Sequence, residues 1–579
     1  LTNFFQVKEV LLHYQILINT SKVNHIFMKK NLLSLLLLTF FATTFLSAQN
    51  TVGLLTYKPS KAFDGFNLMF PHNQPNVYLL DNCGEVVNVW EDEANFRPGN
   101  MVYLRTDGSI VKCKRDAAVG TDPIWAGGGG AIIEIRDWDN NLTWSYELND
   151  ENDRLHHDIA PMDNGNILAI AWELKTEAES LQAGRDTSNT AQDKLWPDYI
   201  IELDPATSEI VWEWHVWNHL IQDFDATKDN FGVVAEHREL VDINYDTHDG
   251  HPDWLHANSL DFHEGRNQVM ISIPYFNEIW VIDHSTTTAQ AASNNGGLSG
   301  KGGDLMYRWG NPLAYQQGTE DNQTLFFQHD AHWNDNFLDF TNDNYDQIVV
   351  FNNRVGADFS QVNVFDPGWD MYSWVYDEAG GPADYLETIQ HPEDPTNLYS
   401  TGLSSAQFLS NGNALITSGR FGYTFEVTPD DEIVWEYKTP LAVGAPATQG
   451  DTLTINNNLT FRMNRYPADY EAFDGRDMSG KSWIELEPDT EFCDIILPVG
   501  EAMSDYYLKV YPNPAADRIT IEWEGGLYAD VMIYDMLGRE IDSFRASGGR
   551  KYLDVSSYEA GIYFIEIEGR QVTKFVKNN

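Results

Sequence analysis

The sequence predicts an all-β protein, and three observations predict it. The chain has 579 residues, too many for one hydrophobic core, so at least two folded units are expected. Its 18 Trp and 27 Tyr suit the pleated, half-buried surface of strands better than helices. Third, a two-part phrase recurs from residue 52 onward. One half is a turn with Asn-Gly or Asp-Gly between apolar runs, as in Leu104–Val111, Pro161–Leu168 and Leu409–Leu415. Those dipeptides supply the positive φ angles that a tight hairpin needs. The other half is an apolar run, a turn and a Trp-bearing strand: Tyr78 to Trp90, Ile132 to Trp144, Ile200 to Trp212 and Trp214, Ile279 to Trp309, and Thr424 to Trp435. A truncated late copy starts at Trp483. Two hairpins make one four-stranded sheet. About 430 residues at roughly 70 per unit give six such sheets, so the expected body is a six-bladed β-propeller over residues 52–490. A β-solenoid fits less well, because the repeats are too long and the insertions between them too large.

The remaining segments follow in chain order. Residues 1–27 hold no methionine and read as an upstream extension from an early start. Met28-Lys29-Lys30 then leads into the apolar run Leu32–Leu46 and Ser47-Ala48-Gln49, which reads as a signal peptide over residues 28–48. Leu46 stands where a small residue is usual. The run is short for a membrane span, and no later run reads as one. Formal net charge is −50, which argues against nucleic acid or an anionic membrane as partner. An anionic substrate needs a locally positive pocket inside that envelope. The insertions 174–196, 218–250, 284–303, 311–327 and 356–400 are long, polar loops, the kind that carry function on a rigid scaffold. Of the three cysteines, Cys83 and Cys113 sit one repeat apart and are the expected disulfide pair if one forms, leaving Cys493 free; three unpaired thiols are the alternative.

The body is expected to end near residue 490. A connector, 491–506, follows, then short strands over residues 507–579 that predict a separate small β-sandwich. This tail resembles the C-terminal sorting domain of the type IX secretion system. The phrases that carry the resemblance are Val510-Tyr-Pro-Asn-Pro514, Ile533-Tyr534-Asp535 with Leu537-Gly538-Arg539, Asp554-Val555-Ser556, Gly561–Phe564 and Thr573–Lys577. It implies passage through the periplasm to the outer-membrane surface or the medium, with the type IX machinery as partner.

Three histidine clusters mark the candidate site. They are His156-His157-Asp158, Asp253–Ser259 with His256 and Asn258, and Gln328–His332 with His329. Each precedes a predicted strand at the same phase of the repeat, so all are expected at one end of the channel. A lone histidine is more often a hydrogen-bonded structural residue; three at one phase reverse that balance. Such a cluster suits either a metal or metal-free group transfer, in which one imidazole attacks while others stabilise charge. No spacing selects a metal, and no nucleophile elbow or phosphate loop is present. Gly127–Gly130 reads as a turn.

Residues from about 60 to 490 resemble the bacterial arylsulfate sulfotransferase family, a group of six-bladed propellers. The carrying phrases, in order, are His156–Ile159 with Asn164–Leu168, Asp253–Ser259, Phe276–Asp283, Gln328–Ala331 and Gln407–Asn413. The resemblance implies ping-pong transfer of a sulfuryl group from an aryl sulfate to a phenolic acceptor, with no cofactor and no metal. It makes His329 the nucleophile carrying sulfate as a sulfohistidine. It makes His256 and Asn258 the groups that bind the sulfuryl oxygens, and His157, rather than His156, the further catalytic histidine. One departure stands out: Pro274 occupies the place where the family has an arginine. Arg308, Arg354 and Arg420 are the candidate replacements, with Arg420 the first choice, and Ser405 is a further substrate-binding candidate. The competing expectation is a secreted propeller that binds a ligand or glycan without turnover. A quinoprotein-like oxidoreductase has no supporting Cys or haem motif.

Overall fold

The computed structural model describes residues 50–578 except 187, 189–192, 339–341, 343, 377–383, 492, 494–507, 524–527, 537–538, 548–549 and 568–570. The expected extension 1–27, the signal peptide 28–48 and most of the connector 491–506 lie outside the described residues. The chain is all-β. Between residues 53 and 467 it forms five four-stranded antiparallel sheets and one of five strands. The sheets contain one edge strand each at Phe96–Leu104, Asp153–Pro161, Ser259–His263, His329–Trp333, Ser405–Phe408 and Thr460–Pro467. These edge strands touch one another in that order, and the last touches the first.

The chain ends tie the ring. Gly53–Tyr57 pairs with Ile433–Lys438, and Gly65–Pro71 pairs with Thr460–Pro467. Early and late segments therefore share two sheets. The recurring Trp has a structural use that the sequence pattern alone does not reveal. It lies at the far side of one sheet and donates its indole N–H to the next sheet's turn. Trp90 reaches the Asp137 carbonyl at 2.8 Å, Trp144 the Ser208 hydroxyl at 3.0 Å, Trp212 the Thr286 hydroxyl at 3.2 Å, and Trp435 the Asn82 carbonyl at 2.8 Å. The recurring Asp closes those turns: Asp81, Asp137, Asp204 and Asp283 each accept a backbone N–H two to four residues ahead.

The expected Cys83–Cys113 pairing is corrected. Cys83 is bonded to Cys493, with Cα atoms 5.7 Å apart, and Cys113 is a buried free thiol. Cys113 belongs to a different sheet from Cys83 and lies under Gly99 and Gly130, whose missing side chains make room for its sulfur. Burial pushes that thiol's pKa up to about 12.

The tail has two sheets: Leu508–Tyr511, Arg518–Trp523 and Arg550–Asp554 in one, Glu540–Ser547, Tyr528–Asp535, Gly561–Ile567 and Gln571–Lys577 in the other. Ile519, Ile521, Val531, Ile533, Ile565 and Phe575 form their shared core. Among the described residues no helix is long and apolar enough to cross a membrane.

Candidate active site

The candidate residues gather where the edge strands begin, and there the strands depart from regular pleating. His156-His157-Asp158 stands opposite a single partner residue, Ile170, as a bulge, and His157 has φ of 52°. His256 has φ of 59°, Asp330 56°, Leu403 63° and Ser404 96°. Phe461 and Arg462 face a further register shift. Bulges re-aim side chains, and here they turn consecutive residues toward one centre.

Three imidazoles face that centre. The His157 and His256 rings lie 4.5 Å apart, and His157 and His329 both pack on Phe461, at 6.4 and 6.3 Å. Their surroundings move their pKa values in opposite directions. His256 Nδ1 lies 2.6 Å from Asp253 Oδ2. Although burial opposes it, this carboxylate, helped by Asp198, raises the His256 pKa. Among the described residues His329 has no carboxylate partner. Its Nδ1–H donates to Asn353 Oδ1 at 2.8 Å, which leaves the lone pair on Nε2, where the Leu403 backbone N–H donates at 3.0 Å. Burial brings the His329 pKa down to about 3, so its imidazole is neutral. Burial, with His256 adding repulsion, likewise holds His157 well below the usual range.

His156 faces away from this centre. It stacks on Trp172 at 3.9 Å, with Nε2 3.0 Å from Asp198 Oδ1 and Nδ1 2.9 Å from His157 Nδ1. Asn258 is fully buried, and its Nδ2 donates to the Gln328 carbonyl at 2.8 Å, so it holds the backbone just before His329. Arg420 and the His329 Cε1 flank the same bare Cα, Gly402. Its Nη1 donates to Asn456 Oδ1 at 3.2 Å, while its buried Nε has no partner. Ser405 is buried in its strand opposite Thr417; its neighbours Leu403 and Ser404 approach the centre through main chain. Arg308 is buried against Glu278, with Nη2 and Oε2 2.5 Å apart. Pro274 opens the turn after Gln268–Ile273, and Tyr275 beside it packs on His256 at 4.9 Å.

Sequence reasoning missed several parts. Arg462 is buried beneath the histidines, with Nη2 2.8 Å from Asp158 and Nε 2.9 Å from Asp330. Those two carboxylates raise its pKa further despite burial. Both carboxylates lie inside the quoted histidine phrases, but nothing local marks Arg462 as their partner. Asn353 and Asp253 orient His329 and His256 through their Nδ1 atoms. The glycine run is more than a turn. The Gly128 carbonyl accepts the His157 N–H at 2.8 Å, and a Cβ on Gly128, whose φ is 78°, would fall 2.0 Å from His157 Nε2. Among the described residues no three His, Cys, Asp or Glu side chains are grouped to hold a metal.

An arylsulfotransferase family model matches residues 52–443, and a secretion-system C-terminal sorting-domain model matches 509–578. No curated protein matches the sequence. Among solved structures, a Bacteroides caccae protein of unknown function is 9% identical, with 69% of this chain and 98% of that one covered at a TM-score of 0.37. A streptogramin B lyase is 12% identical, covering 73% and 96%, at 0.32. PorZ, a type IX secretion component of Porphyromonas gingivalis, is 10% identical, covering 87% and 68%, at 0.28.

Proposed function

We propose, from the premise that the chain belongs to the arylsulfotransferase family, that it moves a sulfuryl group from an aryl sulfate ester to a phenolic acceptor through a sulfohistidine at His329. The observation that carries this reading is the pairing of a neutral His329, whose Nδ1 is fixed by Asn353, with a positively biased His256 in the same cluster. Nε2 of His329 gives its lone pair to sulfur, exchanging it for the Leu403 N–H. As the N–S bond forms, the aryl O–S bond breaks. His256, held by Asp253 at Nδ1, donates its Nε2 proton to the leaving phenolate oxygen. A phenolic acceptor then returns its proton to His256, and its oxygen displaces His329 from sulfur. Arg420 supplies positive charge beside the sulfuryl oxygens in place of the residue lost at Pro274. Asn258 serves as a positioning residue through the Gln328 carbonyl. His157, neutral and lodged against Gly128, forms the third wall.

The ring of six edge strands supports a six-bladed propeller around this site, and the two tail sheets on one core support a small sandwich. The sorting-domain match supports export and delivery to the secretion machinery, with the mature chain secreted or held at the outer-membrane surface. A second reading, ligand binding without turnover, is favoured by the Leu403 N–H already on Nε2 and by Pro274. The deciding assay is release of 4-nitrophenol from 4-nitrophenyl sulfate with phenol as acceptor. Wild type is expected to turn over and to gain one sulfuryl group on the His329 peptide when acceptor is withheld. His329→Ala is expected to lose activity on the order of a thousandfold or more. No release by folded wild type leaves the second reading standing.

A further inference from the structure

Beside the histidine cluster is a cavity of about 430 Å³, whose walls include Thr247, His248, Pro274, Tyr275, Phe327 and Arg354. We propose that this cavity is the aryl subsite, and that Arg354 makes it selective for rings bearing a second anionic group such as a carboxylate, sulfonate or further sulfate. The inference rests on the transfer reading above for the position of the sulfuryl end.

The cavity shares walls with the reacting centre. Tyr275 packs on His256 at 4.9 Å, and Phe327 lies 6.5 Å from His256 and 5.9 Å from His329. An aryl ring whose sulfuryl group meets His329 therefore lies along Tyr275 and Phe327. These walls are held in place. The Asn277 side chain accepts the Phe327 N–H at 2.7 Å, the Asn352 side chain accepts the Phe326 N–H at 2.8 Å, and His248 packs on the other side of Tyr275 at 4.4 Å. The insertions 218–250 and 311–327 supply much of this wall.

Arg354 stands at the outer side. It is exposed, and its guanidinium lies 3.6 Å from the Phe327 ring centre. Its Nε donates to the Thr401 carbonyl at 3.0 Å, which fixes the plane of the guanidinium. Among the described residues its two terminal nitrogens have no hydrogen-bond partner and no carboxylate within ion-pair distance. Arg185, Arg308, Arg462 and Arg465 are each paired with a carboxylate. A stacked guanidinium with an open fork is the geometry that binds a carboxylate or sulfate through two parallel hydrogen bonds.

The test compares 4-carboxyphenyl sulfate with its methyl ester as donors, and 4-hydroxybenzoate with its methyl ester as acceptors, so that donor and acceptor use of the subsite are read separately. Wild type is expected to favour the anionic member of at least one pair by about tenfold in kcat/KM, the factor of one charge-assisted contact at a partly exposed site. In Arg354→Gln the ratio is expected to collapse toward one, and in Arg354→Lys to fall between. Equal wild-type ratios, or a preference that survives Arg354→Gln, overturn the proposal. Calorimetric binding of 4-hydroxybenzoate and its methyl ester separates this from failure of the transfer reading. Tighter binding of the acid that is lost in Arg354→Gln supports the subsite even without turnover; equal binding with no turnover overturns it.

Discussion

The six edge strands present two unlike ends. Where they begin, the cluster contains His157, His256 with Asp253 on its Nδ1, and His329, with Arg354 and Arg420 nearby and, among the described residues, neither paired with a carboxylate. Where they end, a cavity of about 600 Å³ is bordered by Asp163, Asp261, Glu264 and Asp335, with Phe337, Tyr466 and Tyr470 packed at its rim. Between them lies Arg462, bonded to Asp158 and Asp330. Burial takes His329 down to about 3, whereas burial and repulsion from Asp335 take Asp261 up to about 6. The comparison teaches that a net charge of −50 says little about a site. At the histidine end the buried carboxylates Asp253 and Asp198 are each set against an imidazole, His256 and His156, so the negative envelope is locally balanced there.

The largest blow to this division is expected from removing its middle layer. Arg462→Met leaves Asp158 and Asp330 buried without their cation, a loss of roughly 3–5 kcal/mol as for other broken buried pairs. Denaturant unfolding of the variant should show it, and adding Asp158→Asn with Asp330→Asn should recover part. Full stability in the single variant would mean that the two ends are not held apart electrostatically.

Acid is expected to act next, and mainly through the histidine end. His329 and His72 have folded pKa values lowered to about 3 and about 4, below the unfolded value near 6.5. The unfolded chain therefore binds more protons between these values. The stability from these groups is complete above pH 6.5 and is lost as pH falls toward 4, at about 1.4 kcal/mol per pH unit for each histidine. His72→Gln should flatten the slope by one proton, read from unfolding at pH 7, 6 and 5. His256 has the opposite sign. Its pKa is raised, so its contribution is present below pH 6.5 and fades at higher pH, and turnover that uses its proton should decline there too.

The smallest effect is expected at the acidic end. Burial raises the pKa of both Asp261 and Asp335, and repulsion from Asp335 adds to the rise at Asp261. Asp335 is partly exposed, so screening limits the gain from Asp335→Asn to under about 1 kcal/mol. The gain should appear above pH 6, where the Asp261 carboxyl is charged, and shrink as pH falls below it. A gain that persists at pH 4 would point to packing rather than charge.

Much of this was legible in the chain. Asn-Gly and Asp-Gly turns, the Asp-closed turn and the recurring Trp each follow from local chemistry, and they repeat. The histidines shared a phase, so their meeting could be expected. The missing parts have one physical cause. Alternation with period two locates side chains only while a strand is regular, and the bulges at Asp330, His157 and Phe461 break it where the site lies. The resemblance made Asn258 a group that binds the sulfuryl oxygens; in the structure its Nδ2 donates to the Gln328 carbonyl, a partner that the local sequence does not announce.

By itself the sequence determined what is local: the strands, the turns, the type of chemistry three imidazoles can perform, and the secretion tail. The tertiary structure alone decided what depends on partners far along the chain. Cys83 meets Cys493 across 410 residues, and Arg462 meets Asp158 across 304. It also decided which way the histidines' pKa values move. Asp253 is only three residues from His256, but the burial that lowers His157 and His329 is set by the folded ring.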